Sequence, residues 1–166
     1  MKLLGIVLLV LACAGTGYLA ALHLRDDQRS LELLCAWTED AAACIRHQQT
    51  EVSELLEFLA AHPNYRRFRF MSDILDKLSP MSAPGVLWEA AVSSDSAVPA
   101  AARHILISLG QTLGTTDCEG QLAALTLHRT QLVQAAQEAR EVCQTKGKLC
   151  RALGLLGGAM AAVILM

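Results

Sequence analysis

Charged residues are scarce: Asp, Glu, Lys and Arg together make up 18% of the chain, below the roughly 25% of an ordinary soluble domain. A basic excess is also missing, since the formal net charge is -2. A phosphate backbone rewards a clear basic excess, which excludes nucleic-acid binding as the main activity. Aromatic residues stop at 4%, too few for platforms that stack single-stranded bases. What the chain has in quantity is apolar material: 53% of residues are hydrophobic and the mean hydropathy is +0.35. That excludes intrinsic disorder and points to a membrane component. With 166 residues and 17.8 kDa, the chain has room for one domain of ordinary size and not for two.

The charge that exists is unevenly placed. Leu3 to Leu24 forms a run of 22 residues without Asp, Glu, Lys or Arg. As a helix rising about 1.5 Å per residue, it matches a hydrocarbon layer of roughly 30 Å. The last 15 residues, Ala152 to Met166, are also uncharged, and Leu149 and Cys150 extend them if Arg151 snorkels. Two transmembrane helices are therefore expected, over 1–24 and 149–166, with a domain over 25–148 between them. A cleaved signal is the rival for the first segment, and Cys13 after Val10-Leu11-Ala12 resembles a lipoprotein site. The run continues through Gly17 to Leu22, however, beyond the 7–15 residues of a signal's apolar region. Arg25, Arg29, Lys146, Lys148 and Arg151 flank the middle domain, against Lys2 alone outside it, so a cytoplasmic middle is expected.

No motif for catalysis is found. There is no phosphate loop of the G-x-x-x-x-G-K-[ST] type and no G-x-S-x-G elbow. His23, His47, His62, His104 and His128 are scattered, and a lone helical His is more often surface or core filling than a catalyst. The cysteines at 13, 35, 44, 118, 143 and 150 form no C-x-x-C. Cys44 and His47 have ligand-like spacing, but no second pair matches it, so no metal and no cofactor are assigned. In a cytoplasmic domain these thiols stay reduced and fill small apolar positions.

Alternation of the strand type is absent for any length, whereas three- and four-residue steps recur. Leu24, Leu31, Leu34, Cys35, Ala41, Ala42 and Ile45 mark a first helix that runs out of the first apolar segment. Thr50 is the expected N-cap of a second, with Val52, Leu55, Leu56 and Leu59 as its stripe and Pro63 as its end. A third is expected from Asn64, carrying Phe68, Met71, Ile74, Leu75 and Leu78. Pro80 and Pro84-Gly85 break the chain before a short helix with Val86, Leu87 and Ala90. A turn at 93–96, a helix over 100–113 and a long last helix from Asp117 complete an all-α bundle of about six helices. Tyr65 to Phe70 mixes Arg with aromatics, which fits Phe inward and Arg outward better than a lipid-binding patch.

Two segments are dense in glycine. Leu109 to Gln121 reads as a tight corner between helices, with Gly110, Gly114, Asp117 and Gly120 shaping the turn. Gln111, Glu119 and Gln121 are then free to offer polar contacts to a partner. In the last segment, Gly154, Gly158 and Ala162 share one face, the small-xxx-small pattern of packed membrane helices. Together with the opening Lys2-Leu3-Leu4-Gly5, the central Leu-Gly-Gln-Thr-Leu-Gly-x-x-Asp-x-x-Gly-Gln of 109–121 and the closing run Lys146 to Gly158 resemble the stage III sporulation protein AB family over nearly the whole length. Six cysteines, Cys150 in place of an aromatic, and the Ala/Cys-rich 35–48 depart from that pattern.

The resemblance implies a role in endospore formation. Members sit in the mother-cell membrane facing the forespore, within the complex that links the two cells. It also implies a six-helix soluble domain similar to those of the type II secretion inner-membrane platform protein. The expected job is a non-enzymatic platform that couples a cytoplasmic ATPase, stage III sporulation protein AA, to membrane ring components. Self-association is left open, and membrane lipid is the remaining partner. The alternative from the residues themselves is an exported helical adaptor anchored as a lipoprotein through Cys13.

Overall fold

The computed structural model describes the backbone of residues 2–48, 51–78 and 84–165, and the side chains of 15, 18–47, 51–78 and 85–145. Among the described residues there are six helices and no strand: α1 (Lys2–Gln48), α2 (Val52–Ala61), α3 (Phe70–Lys77), α4 (Pro84–Ser94), α5 (Ala100–Thr112) and α6 (Cys118–Leu165). The all-α class and the number of helices agree with the sequence. α1 and α6, of 47 and 48 residues, contain no proline, so nothing interrupts their hydrogen-bond ladders. The four short helices are bounded by Pro63, Pro84 and Pro99 or by capped turns.

Two compact units follow from the contacts. One is Arg29–Ala136, which lies inside the domain expected over 25–148; the other joins Met1–Gln28 to Gln137–Met166. Among the described residues no helix is long and apolar enough to cross a membrane. The segments expected to do so lie largely (3–24) or wholly (152–166) outside the described side chains, and Gly154, Gly158 and Ala162 are among these.

Within the Arg29–Ala136 unit, α2 packs on α3, α3 on α4 and α4 on α5. Of the expected apolar positions, Leu31, Leu34, Ala41, Ile45, Leu55, Leu56, Leu59, Met71, Ile74, Leu106 and Leu109 are buried, whereas Leu78, Val86 and Ala90 are exposed, because α4 turns Trp88, Ala91 and Val92 to the core instead. The centre is aromatic. Trp37 meets Phe70 edge-on at 6.0 Å, and Phe70 meets Trp88 at 6.0 Å, a pairing worth about 0.5–1.5 kcal/mol each beyond burial. Phe68 stands 6.3 Å from Phe70. The buried indoles also satisfy their polar ends: Trp37 Nε1 donates to Met71 Sδ at 3.2 Å and Trp88 Nε1 to the Leu106 carbonyl at 2.8 Å. The few aromatics of the chain are thus spent on the core, with Tyr18 and Phe58 as the exposed exceptions.

Two helix starts differ from the sequence expectation. Thr50 lies outside the described residues, and the N-cap of α2 is Glu51, whose side chain makes no capping bond. The third helix begins at Phe70, not at Asn64. Residues 62–68 form turns instead, with the Tyr65 amide donating to the His62 carbonyl at 3.1 Å and the Phe68 amide to Tyr65 at 2.9 Å. This path buries both Tyr65 and Phe68 and lets the Tyr65 hydroxyl donate to Asp40 Oδ2 of α1 at 2.5 Å. The cap of α3 then comes from far along the chain. Asp95 Oδ2 accepts from the amides of Arg69 (2.7 Å) and Phe70 (3.0 Å), while its Oδ1 accepts from Ala97 at 2.9 Å. Arg66 and Arg69 are exposed and Phe68 and Phe70 are buried, as the amphipathic reading requires, but on turns rather than on a helix.

Candidate functional site at the corner of the fifth and sixth helices

The 109–121 segment folds by local capping. The Leu113 amide closes α5 on the Leu109 carbonyl at 3.0 Å. Gly114 follows with φ of 77°, a left-handed conformation that glycine adopts without strain. The Thr115 hydroxyl returns to the carbonyls of Thr112 (2.9 Å) and Gln111 (3.2 Å), covering two carbonyls at the end of α5. Asp117 then starts α6: its Oδ1 accepts from the Gly120 amide at 3.0 Å. Gln121 Nε2 donates to the Thr116 carbonyl at 3.0 Å and ties the first turn of α6 back to the loop.

Gly110 has a different place from the turn residues with which it was grouped. It is buried inside α5, and a Cβ added there would lie 2.2 Å from the Trp88 ring. Glycine at 110 lets the indole of α4 lie directly on the α5 backbone. Gly120 is also tight, since a Cβ would approach Asp117 Oδ1 to 2.8 Å.

The corner forms one wall of an open cleft of about 560 Å³. Gly110, Gln111, Leu113, Gly114, Thr115 and Gln121 contribute that wall. The rest of the lining comes from Glu51, Val52, Ser53 and Leu56 at the start of α2, with Ile74, Leu78, Gly85 and Trp88. Gln111 is exposed on the wall, Gln121 is half-buried, and Glu119 is exposed nearby without lining the cleft. The structure therefore brings Gln111 and Gln121 to one cavity. Val52, Leu56 and Trp88 of that cavity were not read from the sequence as site residues. Nothing in the local pattern around Trp88 announces that it sits under Gly110.

Titratable chemistry is sparse. Among the described residues no group of three or more His, Cys, Asp or Glu is placed to hold a metal ion. Burial pushes the Cys35 thiol up against the opposing pull of Arg129, and Cys44 is raised by burial and by Asp40. Both changes lower the thiolate fraction and so the nucleophilicity. Cys118 Sγ faces the Ile45 carbonyl at 3.9 Å. Burial first, then the hydrogen bond to Asp40, raises the Tyr65 phenol well above its ordinary value. Arg129 of α6 pairs with Glu39 of α1 at the exposed edge, an ion pair of small energetic weight. His128 is buried and shares a hydrogen bond of 3.1 Å with Gln131.

Comparison with known proteins places the chain. The profile of the family described as stage III sporulation protein AB matches residues 2–166. The chain is similar to the stage III sporulation protein AB of Bacillus subtilis (strain 168), with 27% identity over 172 residues that cover 100% of this chain and 99% of the relative. No solved structure matches, so the likeness to secretion platform domains rests on the family resemblance alone. The family name describes a stage of spore formation and not a reaction, and the match runs through both apolar ends and the glycine-rich corner: this chain belongs to the stage III sporulation protein AB family.

Proposed function

We propose that the protein is a non-enzymatic membrane platform of a sporulation complex, held in the mother-cell membrane by both ends of the chain. The Arg29–Ala136 unit is the docking body on the cytoplasmic side, and its partner is the cytoplasmic ATPase of the complex. The observation that carries this reading is the 109–121 corner. This segment, one of those that carry the family resemblance, anchors in the core through Leu109 and Leu113 and exposes Gln111, Gly114 and Thr115 on an open cleft. Support for the anchors comes from the 22 uncharged residues Leu3–Leu24 and the 15 of Ala152–Met166. Support for the orientation comes from the basic residues that flank the middle domain.

The test combines place and partner. A tag inserted between Pro63 and Asn64, both exposed, reports the side of the membrane without touching the Asp95 cap, which an insertion at 93–96 would break. Expressed in non-sporulating cells, whose single membrane faces the medium, the tag is expected to resist protease added to protoplasts and to be cut once they are permeabilised, and the protein is expected to resist carbonate extraction. Gln111→Ala is expected to keep the fold and to reduce recovery of the ATPase from sporulating cells. Cleavage before an acylated Cys13 would replace the platform with the lipoprotein adaptor. Unchanged recovery and unchanged sporulation with Gln111→Ala would remove the corner from the interface.

A further inference from the structure

We infer that the Arg29–Ala136 unit pairs with a second copy of itself, the acidic face of α2 in each copy receiving the arginine turn of the other. Charge is segregated along this stretch of chain. Residues 51–57 carry Glu51, Glu54 and Glu57 and no basic residue, while 58–72 carry Arg66, Arg67 and Arg69 and no acidic one. Glu54, Glu57, Phe58 and Ala61 are all exposed and share one side of α2, opposite the buried Leu55, Leu56 and Leu59. Phe58 is 58% exposed and stands one turn after Glu54 on that side. An aromatic ring edged by carboxylates suits a guanidinium, which stacks on the ring and pairs with a carboxylate at once.

The same chain presents that group. The bonds from the Tyr65 amide to His62 and from the Phe68 amide to Tyr65 repeat at three-residue steps, which set residues three apart on a common side. Tyr65 and Phe68 fall inside, and Arg66 and Arg69 stand exposed. Arg67 is committed within its own copy, half-buried and 5.8 Å from the centre of the Phe68 ring. Two carboxylates meet the turn, and both are engaged: Asp40 accepts the Tyr65 hydroxyl, and the buried Asp95 accepts the Arg69 and Phe70 amides. Among the described residues none of Glu54, Glu57, Arg66 and Arg69 forms an ion pair. Each copy therefore holds an acidic aromatic face and, further along the chain, the arginines that fit it. A two-fold axis between two copies makes that contact twice, the isologous arrangement of a closed dimer. Exposed ion pairs are weak one by one and are screened by salt, so the pairing rests on the doubled contact and on the stacking at Phe58.

A photoreactive phenylalanine analogue in place of Phe58 in the full-length protein, irradiated in the cells that make it, tests this. The expected adduct has twice the mass of the chain, and its captured peptide spans residues 62–69 of the second copy. Glu54→Arg with Glu57→Arg is expected to cut the yield by at least about tenfold, and so is Arg66→Glu with Arg69→Glu. Two differently tagged chains, one with each pair of reversals, are expected to recover the adduct when made together, because both contacts across the axis then join opposite charges. All four positions are exposed, and thermal melting of each variant checks the fold; the peptide captured by the chain without reversals decides the pairing even where a reversal unfolds it. No adduct, an adduct only with lipid or with a different protein, a yield indifferent to the reversals, or folded chains that stay separate when mixed would each overturn the inference. The pairing does not rest on the platform reading, which carbonate resistance and recovery of the ATPase judge separately.

Discussion

Gly110 carries the tightest constraint at the residue scale, because a methyl group there would enter the Trp88 ring. Gly110→Ala is expected to destabilise the Arg29–Ala136 unit by about 2 kcal/mol or more through overpacking. Urea unfolding checks this, and Trp88→Leu in the same chain should recover much of the loss, which identifies the ring as the cause. At Gly114 the problem is conformational: Gly114→Val meets both φ of 77° and Val52 Cγ2 at 3.0 Å, for a loss of about 1 kcal/mol or more. Glycine density alone marked 109–121 as a corner, and the capping residues could be named there because caps are local. Trp88 could not be, because its contact with Gly110 joins two helices and leaves no trace in spacing. Tyr65 shows the same limit. Its partner Asp40 is 25 residues away, and its raised pKa has a readable consequence. The unfolded phenol ionises near about pH 10 and the folded one later, so the stabilisation is intact below that pH and is lost as pH rises further. Unfolding midpoints should fall more steeply with alkali in the wild type than in Tyr65→Phe, which itself loses about 1 kcal/mol at neutral pH. Equal slopes would deny the phenol this role.

Among the elements, the long helices were legible and the short one after Pro63 was not. Periodicity placed the buried faces of α1, α2 and α5, since a stripe at three- and four-residue steps survives any tertiary arrangement. It also extended α3 too far back: Phe68 and Phe70, two apart, would lie on nearly opposite faces of one helix, and the turn brings both into the same core. The expected N-cap at Asn64 fails for the same reason: the amides at the start of α3 are held by Asp95 across the fold. Asp95→Ala is expected to cost about 2 kcal/mol, since it leaves the buried Phe70 amide without an acceptor and removes the part-buried bonds to Arg69 and Ala97. Far-UV circular dichroism should lose little signal while the thermal midpoint drops, as α3 has only eight residues. A midpoint unchanged by Asp95→Ala would refute the cap.

For the whole molecule, the division into a compact Arg29–Ala136 unit and a second unit from the two chain ends has an experimental signature. A fragment of residues 25–148 is expected to unfold in one cooperative transition, and Gly158→Ile in the full chain should leave the melting of that unit unaltered. Assembly should suffer from Gly158→Ile if small residues bring membrane helices together, and intact crosslinking and sporulation would leave the segment a plain anchor. The Asp95 carboxylate also orders events in time. An isolated eight-residue helix nucleates poorly, with a penalty of about a thousandfold for the first turn. The group that closes the first turn of α3 arrives only when α4 has formed and its end has swung back 25 residues along the chain. α3 is therefore expected to form late in folding and to open early. The amide protons of Arg69, Phe70 and Ala97, held by one side chain, should exchange with solvent at a common rate, ahead of those of α5.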